Sequence, residues 1–253
     1  MESANRLNLG VAGAKGRMGV AVISLIAERG DLSLAAAFDQ PDSAEVEFAF
    51  RTCEVIVDFS APAGSTALAR AAAARGGPAL VIGTTGFSAD EEAAIAEAAG
   101  AIAIVKSGNF SLGVSVLAAL VEEAARRLSA EGWDLEIMEA HHRRKVDAPS
   151  GTALLLGEAA ARGRGVDLAS VSERGRDGLT GPRSHGAIGF VSLRAGGLVG
   201  EHSVILASDD EVLTLSHSAR DRKLFARGAL TAALWVRGRP PGLYDMRDVL
   251  GLS

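Results

Sequence analysis

The chain has 253 residues, 48% of them apolar and 23% charged, with a formal net charge of -5. That balance excludes disorder, collagen and coiled coil as dominant states, and the acidic total without a basic tail argues against general nucleic-acid binding. No run reaches the roughly 18 apolar residues of a membrane helix, no secretory leader is legible at the start, and the lone Cys53 supplies neither an internal disulfide nor a multi-cysteine metal site. The expectation is a cytoplasmic protein, away from membranes, of one large domain or two small ones.

Residues 7–12 form an apolar segment that runs into Gly13-Ala14-Lys15-Gly16-Arg17-Met18-Gly19 and then into an amphipathic stretch with Val20, Ile23, Ile26 and Ala27 at helical spacing. Strand, glycine turn and helix in this order suit a pyrophosphate, because Cβ-free backbone approaches closely and the helix start offers N–H groups and a positive dipole end. Lys15 stands where the usual G-x-G-x-x-G has its middle glycine, so the motif alone is only moderately specific. Asp39 closes a second strand, 32–38, at the distance from the turn where a carboxylate accepts the ribose hydroxyls of an adenosine.

The same beat recurs at 55–59, 79–82 and 101–105, each strand ending in a small polar turn, with alanine-rich helices over 63–75 and 88–99 between them. Alternation at this spacing predicts an α/β, Rossmann-like, doubly wound parallel sheet whose ligand lies off the carboxyl ends of the strands. Gly83, Thr84, Thr85, Ser107, Gly108 and Asn109 fall at such ends and are assigned to the cofactor.

After a helix over 111–128 the pattern changes. Residues 133–140, 187–195, 199–207 and 211–217 read as strands, and short connections among the last three predict an antiparallel meander in a separate α+β domain. A helix over 222–236 and a tail close the chain. The glycine-rich segment 173–186 is read as either a lid or a plain connection.

Between strand 133–140 and an apolar helix over 153–161 lies EAHHRRKVDAPSGT, residues 139–152, which holds two of the chain's five histidines. Ser150 is a helix cap, and His141, His142, Arg143, Arg144 and Lys145 are expected on the turn before it. Three readings compete here. Zinc is disfavoured because adjacent strand-end histidines point apart and no further ligand group stands at metal spacing, so no metal is expected. The others are a solvated basic turn and an anion-binding catalytic turn, in which imidazole, lysine and helical N–H groups hold a carboxylate. A hydride-transfer cofactor site on the same chain favours the last, since such an enzyme needs a substrate clamp and a proton source.

The run EAHHRRKVDAPSGTA resembles the signature of the 4-hydroxy-tetrahydrodipicolinate reductases, also called dihydrodipicolinate reductases. GAKGRMG, VIVDFSAP, VIGTTGF, SGNFSLGV, IGFVSLRAGGLVGEHSV and LYDMRDVL extend the similarity, in the same order, over nearly the whole chain. The resemblance implies a nucleotide-binding domain over 1–112 to which 221–253 return, and a substrate-binding and oligomerisation domain over 113–220, usually in a homotetramer. It implies NAD(P)H-dependent reduction of a cyclic hydroxy-dicarboxylate, with loss of water, to tetrahydrodipicolinate in the diaminopimelate route to lysine. Position by position, His141 corresponds to the proton donor and acceptor and Lys145 to a second proton donor. His142, Gly151 and Thr152, with Arg222 added, correspond to substrate binding. Gly13, Ala14, Lys15, Gly16, Arg17, Met18, Asp39, Gly83, Thr84, Thr85, Ser107, Gly108, Asn109 and Phe110 correspond to cofactor binding. The segment after Asp39 is short, and Gln40 stands where some members carry an arginine suited to a 2′-phosphate, so either NADH or NADPH serves, with a modest NADH preference expected.

Overall fold

The computed structural model describes residues 6–39 and 44–252; Gln40 lies outside them. In chain order the elements are β1 (Leu7–Ala12), α1 (Arg17–Ala27), β2 (Leu32–Phe38), α2 (Ala44–Thr52), β3 (Val55–Asp58), α3 (Pro62–Arg75), β4 (Ala79–Ile82), α4 (Ala89–Ala98) and β5 (Ala103–Lys106). Then come α5 (Leu112–Arg127), β6 (Asp134–His141), α6 (Gly151–Arg164), α7 (Leu168–Val171), β7 (Ser172–Arg174), β8 (Ile188–Arg194), β9 (Gly200–Ala207) and β10 (Val212–Ala219). The chain closes with α8 (Lys223–Val236), β11 (Gly242–Tyr244) and α9 (Met246–Leu250). No helix among the described residues is long and apolar enough to cross a membrane.

Two compact units result, one up to Leu112 and again from Lys223, the other Gly113–Arg222. In the first, six strands pair in the order β11-β5-β4-β3-β1-β2, and every neighbouring pair is parallel. Strands buried on both faces read as continuous apolar runs. Val55 and Val57 of β3 face a core built with Val22, Leu25 and Ile26 of α1 and Ala229 and Leu230 of α8. Ile56 between them faces Leu68, Ala69 and Ala72 of α3 and Ile95 of α4. Strand order reverses direction between β1 and β3, and the crevice off the carboxyl ends at such a switch point is where α/β sheets take nucleotides.

Three of this unit's elements escape the sequence pattern. Ala44–Thr52 reads as charge alternating with apolar side chains, a strand's rhythm, yet it is helical and buries only Val46 and Ala49. Gly242–Tyr244, just after two prolines, adds a three-residue edge strand beside β5, and Met246–Leu250 follows it behind a capping box at Asp245.

Asp58, the last residue of β3, is fully buried. Burial pushes its carboxyl pKa up, against the opposing hydrogen bonds from Ser60 and Ser65. A carboxyl whose folded-state pKa lies above its unfolded value stabilises the fold below the unfolded value and loses that contribution as pH rises through the folded one. Asp58→Asn, neutral and of similar shape, is therefore expected to gain stability relative to the parent at pH 8, with the gain shrinking toward pH 4. Thermal melts of both proteins at the two pH values check this; a gain that is equal at both would show that folding does not shift the Asp58 carboxyl.

In the second unit five strands pair in the order β10-β9-β6-β8-β7. The expected meander is wrong in one respect: β8 and β9 are not partners, because β6 lies between them, parallel to β8 and antiparallel to β9. Only β9 and β10 form the antiparallel hairpin. One sheet face is covered by α5 and α6, with Leu135, Ile137, Ile188, Phe190, Val204 and Leu206 packed on Leu117, Val121 and Leu156. On the other face Met138, Val191 and Leu193 are each close to half exposed. Segment 173–186 begins as β7 and is tied to β6: Arg176 and Arg183 both donate to Glu136, and Arg183 also pairs with Asp134 at 2.8 Å.

Candidate active site

Turns at the carboxyl edge of the parallel sheet form the first group of candidate residues. Gly13 leaves β1 with φ +73°, a conformation that L side chains rarely adopt, and a Cβ there would lie 2.6 Å from the Phe59 carbonyl oxygen. Gly16 caps α1 without a side-chain hydrogen bond, and no acidic residue occupies the first helical turn. A Cβ-free turn leading to a positive, uncapped helix end fits a dinucleotide's pyrophosphate. Ala14 N–H donates to Phe38 O at 3.2 Å, fixing the turn against the end of β2, and Met18 packs on the core.

Asp39 and Lys15 are paired with each other. Asp39 Oδ1 accepts the Lys15 backbone N–H at 3.0 Å, and Lys15 Nζ lies 3.4 Å from Oδ2. Arg17 is exposed at the helix start. Along the same edge Gly83 N–H donates to Asp58 O at 2.8 Å, and the buried Thr84 hydroxyl accepts from Ser65 at 2.8 Å. Thr85 and Gly108 are exposed. Ser107 and Asn109 close on each other, with Ser107 Oγ donating to Asn109 O at 2.8 Å. Phe110 is a core residue, edge-on to Phe59 at 6.0 Å, so it anchors the turn from below.

The second group lies in the other unit. Along β6 the inward residues are Leu135, Ile137, Glu139 and His141, so the buried face turns from apolar to polar at the strand's end. His141 is thus the last strand residue and buried, not on a turn as expected, because its register with Arg194 of β8 carries the sheet one residue further. The Ala195–Val199 connection then passes over the end of β6: Ala195 N–H donates to His141 O at 2.9 Å and Arg143 N–H to Gly196 O at 3.2 Å. Lys145 N–H donates to His142 O at 3.0 Å and tightens the turn that follows.

His141 Nδ1 lies 2.5 Å from Oε2 of Glu139, and the ring stands edge-on to His202 with centroids 5.0 Å apart. Gly200 leaves room beside Nε2; a Cβ there would approach it to 3.1 Å. Burial would raise the Glu139 pKa, but hydrogen bonds from Arg194, Ser192 and His141 outweigh it and hold the carboxyl at about 2. Burial, with the charge of His141 adding to it, lowers His202 to about 4, so this ring is neutral. Its Nε2 lies 3.1 Å from Ser150 Oγ, which also accepts Ala153 N–H as the cap of α6. His202 sits folded below its unfolded value, so it contributes stability that is lost as pH falls from about 6.5 through about 4.

His142 points away from His141 and accepts from Arg222 Nη2 at 2.7 Å, since a guanidinium can only donate. Burial and the Arg222 charge lower its pKa. Lys145 Nζ pairs with Asp147 Oδ2 at 2.8 Å. Gly151 opens α6 with no heavy atom within 4 Å of where its Cβ would be, and Thr152 follows it. The structure therefore brings His141, His142, Lys145, Gly151, Thr152 and Arg222 to one end of one unit. Glu139, Arg194, Gly200 and His202 belong there too and were missed; the i, i+2 spacing of Glu139 and His141 on a strand was their available signal.

Two family models match the chain: dihydrodipicolinate reductase, N-terminus, over residues 7–110, and dihydrodipicolinate reductase, C-terminus, over 113–250. The chain belongs to the dihydrodipicolinate reductase family. It is 58% identical to the 4-hydroxy-tetrahydrodipicolinate reductase of Caulobacter vibrioides, with 98% of each chain covered. It is 52% identical to the enzyme of that name from Sinorhizobium fredii, again over 98% of each. A dipicolinate-bound dihydrodipicolinate reductase from Paenisporosarcina sp. TG-14 matches 95% of this chain and 97% of its own with a TM-score of 0.78 at 23% identity, a likeness of fold. Membership makes this an oxidoreductase that works with a pyridine nucleotide.

Proposed function

We propose that this protein reduces 4-hydroxy-tetrahydrodipicolinate to tetrahydrodipicolinate, with loss of water, in the diaminopimelate route to lysine. The observation that carries the reading is the buried His141, backed by an ionised carboxylate at the end of the strand that leads to Lys145 and the start of α6. When bound, the reduced nicotinamide supplies hydride. His141 supplies a proton to the substrate as hydride arrives, and Lys145 is a charge clamp and second proton donor. Arg222, His142, Gly151 and Thr152 hold the substrate, whose two carboxylates would be costly to bury without compensating cations and N–H donors. Gly13, Ala14, Lys15, Gly16, Arg17 and Met18 hold the pyrophosphate, Asp39 the adenosine ribose, and Gly83, Thr84, Thr85, Ser107, Gly108, Asn109 and Phe110 the remaining turns along the cofactor. Adding the product of dihydrodipicolinate synthase should cause loss of NADH absorbance at 340 nm; no oxidation with either NADH or NADPH would reject the function.

Cofactor choice follows from Asp39. Its carboxylate can hydrogen-bond the ribose diol of NADH and faces a 2′-phosphate with like charge, while Lys15, its own partner, offsets part of that repulsion. Both groups are solvent-screened, so an NADH preference of about 1 kcal/mol, roughly fivefold in kcat/KM, is expected. Asp39→Ser should move the ratio toward NADPH. A clear NADPH preference in the parent would overturn the assignment.

Residues 113–220 are proposed to bind substrate and to assemble the protein into a homotetramer, with 1–112 and 221–253 binding the nucleotide in a cytoplasmic enzyme. The uncovered sheet face with Met138, Val191 and Leu193 supports the assembly, being apolar surface of the kind that oligomers bury. Sedimentation velocity reads the assembly directly, and a monomer would reject it.

A further inference from the structure

Glu139 is not among the residues assigned a role so far, yet besides Ser192 its polar contacts are with His141 and with the guanidinium of Arg194. Its side chain is 1% exposed. Oε1 accepts from Arg194 Nη2 at 2.7 Å; Oε2 accepts from Arg194 Nη1 at 2.8 Å and meets His141 Nδ1 at 2.5 Å. Arg194 is itself fixed, donating to the carbonyl oxygens of Leu193 at 2.8 Å and Asp147 at 2.6 Å. A two-pronged guanidinium pair keeps a buried carboxylate ionised and sets its plane. An ionised carboxylate has no hydrogen to give, so the hydrogen between it and the imidazole belongs to Nδ1.

The surroundings agree. Nε2 is on the opposite side of the ring, beside Gly200, where the missing Cβ leaves space. The charged and titratable groups around His141 include Glu139 and Arg194 at Nδ1, the neutral His202 at its edge, and His142 and Lys145 on the chain that follows.

We propose that Glu139, clamped by Arg194, is a positioning residue for His141. It holds the hydrogen on Nδ1, leaves Nε2 as the atom that exchanges a proton with substrate, and places a fixed negative charge behind the ring. In the step, the cationic ring gives its Nε2 proton to substrate and returns to the neutral form with hydrogen on Nδ1; Glu139 remains a carboxylate throughout. The arrangement rests on the reading of His141 as the proton donor.

The test uses Glu139→Gln in the full-length enzyme, with kcat and both KM values measured across pH and the His141 tautomer read by imidazole ¹⁵N chemical shifts. A group that orients a histidine from behind typically contributes about 10- to 100-fold, so kcat should fall by that much with both KM values within about twofold. The ¹⁵N shifts should show the Nδ1–H form less favoured than in the parent, because a neutral amide oxygen is a weaker acceptor than the carboxylate that meets Nδ1. Glu139→Gln leaves Arg194 short of a partner, so the double variant Glu139→Gln/Arg194→Met controls for folding by removing both charges. Recovery of kcat in the double variant would show that the loss came from the unpaired guanidinium, and the proposal would fall. Unchanged kcat and tautomer in a folded Glu139→Gln protein would also overturn it. A fully active His141→Gln would instead remove the proton-donor reading, while the tautomer signal in the parent would still report the Glu139 contact. The two failures are therefore separable.

Discussion

Replacing His141 with glutamine is expected to lower kcat by about 10²–10⁴-fold, the usual contribution of a positioned general acid, while cofactor affinity is retained. Glutamine suits this test because its amide can still donate toward Glu139, so the buried carboxylate keeps a neighbouring donor besides Arg194. The fold should survive for the same reason, at the cost of the edge contact with His202. Cofactor binding, followed by nicotinamide fluorescence, should hold because the turns proposed to bind the cofactor belong to the other unit. Unchanged kcat would reject His141 as proton donor. A fall in melting temperature that matches the loss of activity would make the residue structural.

How much of this was legible depended on whether a signal was local. The parallel sheet was, apart from its edge strand β11, because each of the other strands is a mostly apolar run ended by a glycine or polar turn; β1, β2 and β4 match the expected bounds. Ser150 as the cap of α6 was legible for the same reason. The order of the second sheet was not. A five-residue connection between two strands normally means a hairpin, and nothing within it shows that β6, nearly fifty residues earlier, is inserted between β8 and β9. That long-range pairing has a functional consequence. It carries the 195–199 connection over the end of β6, pins it to His141 O, and brings Arg194 from one side and His202 from the other onto the histidine. The motif thus pointed to His141 and Lys145, while Arg194 and His202 beside them come from strands that only the pairing brings near.

Lys145→Ala is expected to cut kcat/KM by about 30-fold or more, because removing one partner of a desolvated charge pair typically costs about 2–5 kcal/mol. The melting temperature should barely move. In the absence of substrate Lys145 pairs with Asp147, whose side chain is 54% exposed, and a pair open to water on one side contributes about 0–1 kcal/mol. The ammonium has three donors and spends one on Asp147, so it can engage a substrate carboxylate without giving up its place on the turn. Dipicolinate, a planar dicarboxylate, should accordingly compete with substrate and bind Lys145→Ala more weakly than the parent by a similar factor, measured by titration calorimetry. Equal dipicolinate affinity together with lost kcat would assign Lys145 to proton donation alone. If the variant instead loses its fold and keeps its affinity per folded molecule, the lysine belongs to the architecture of the turn and the clamp must be sought in Arg222 and the start of α6.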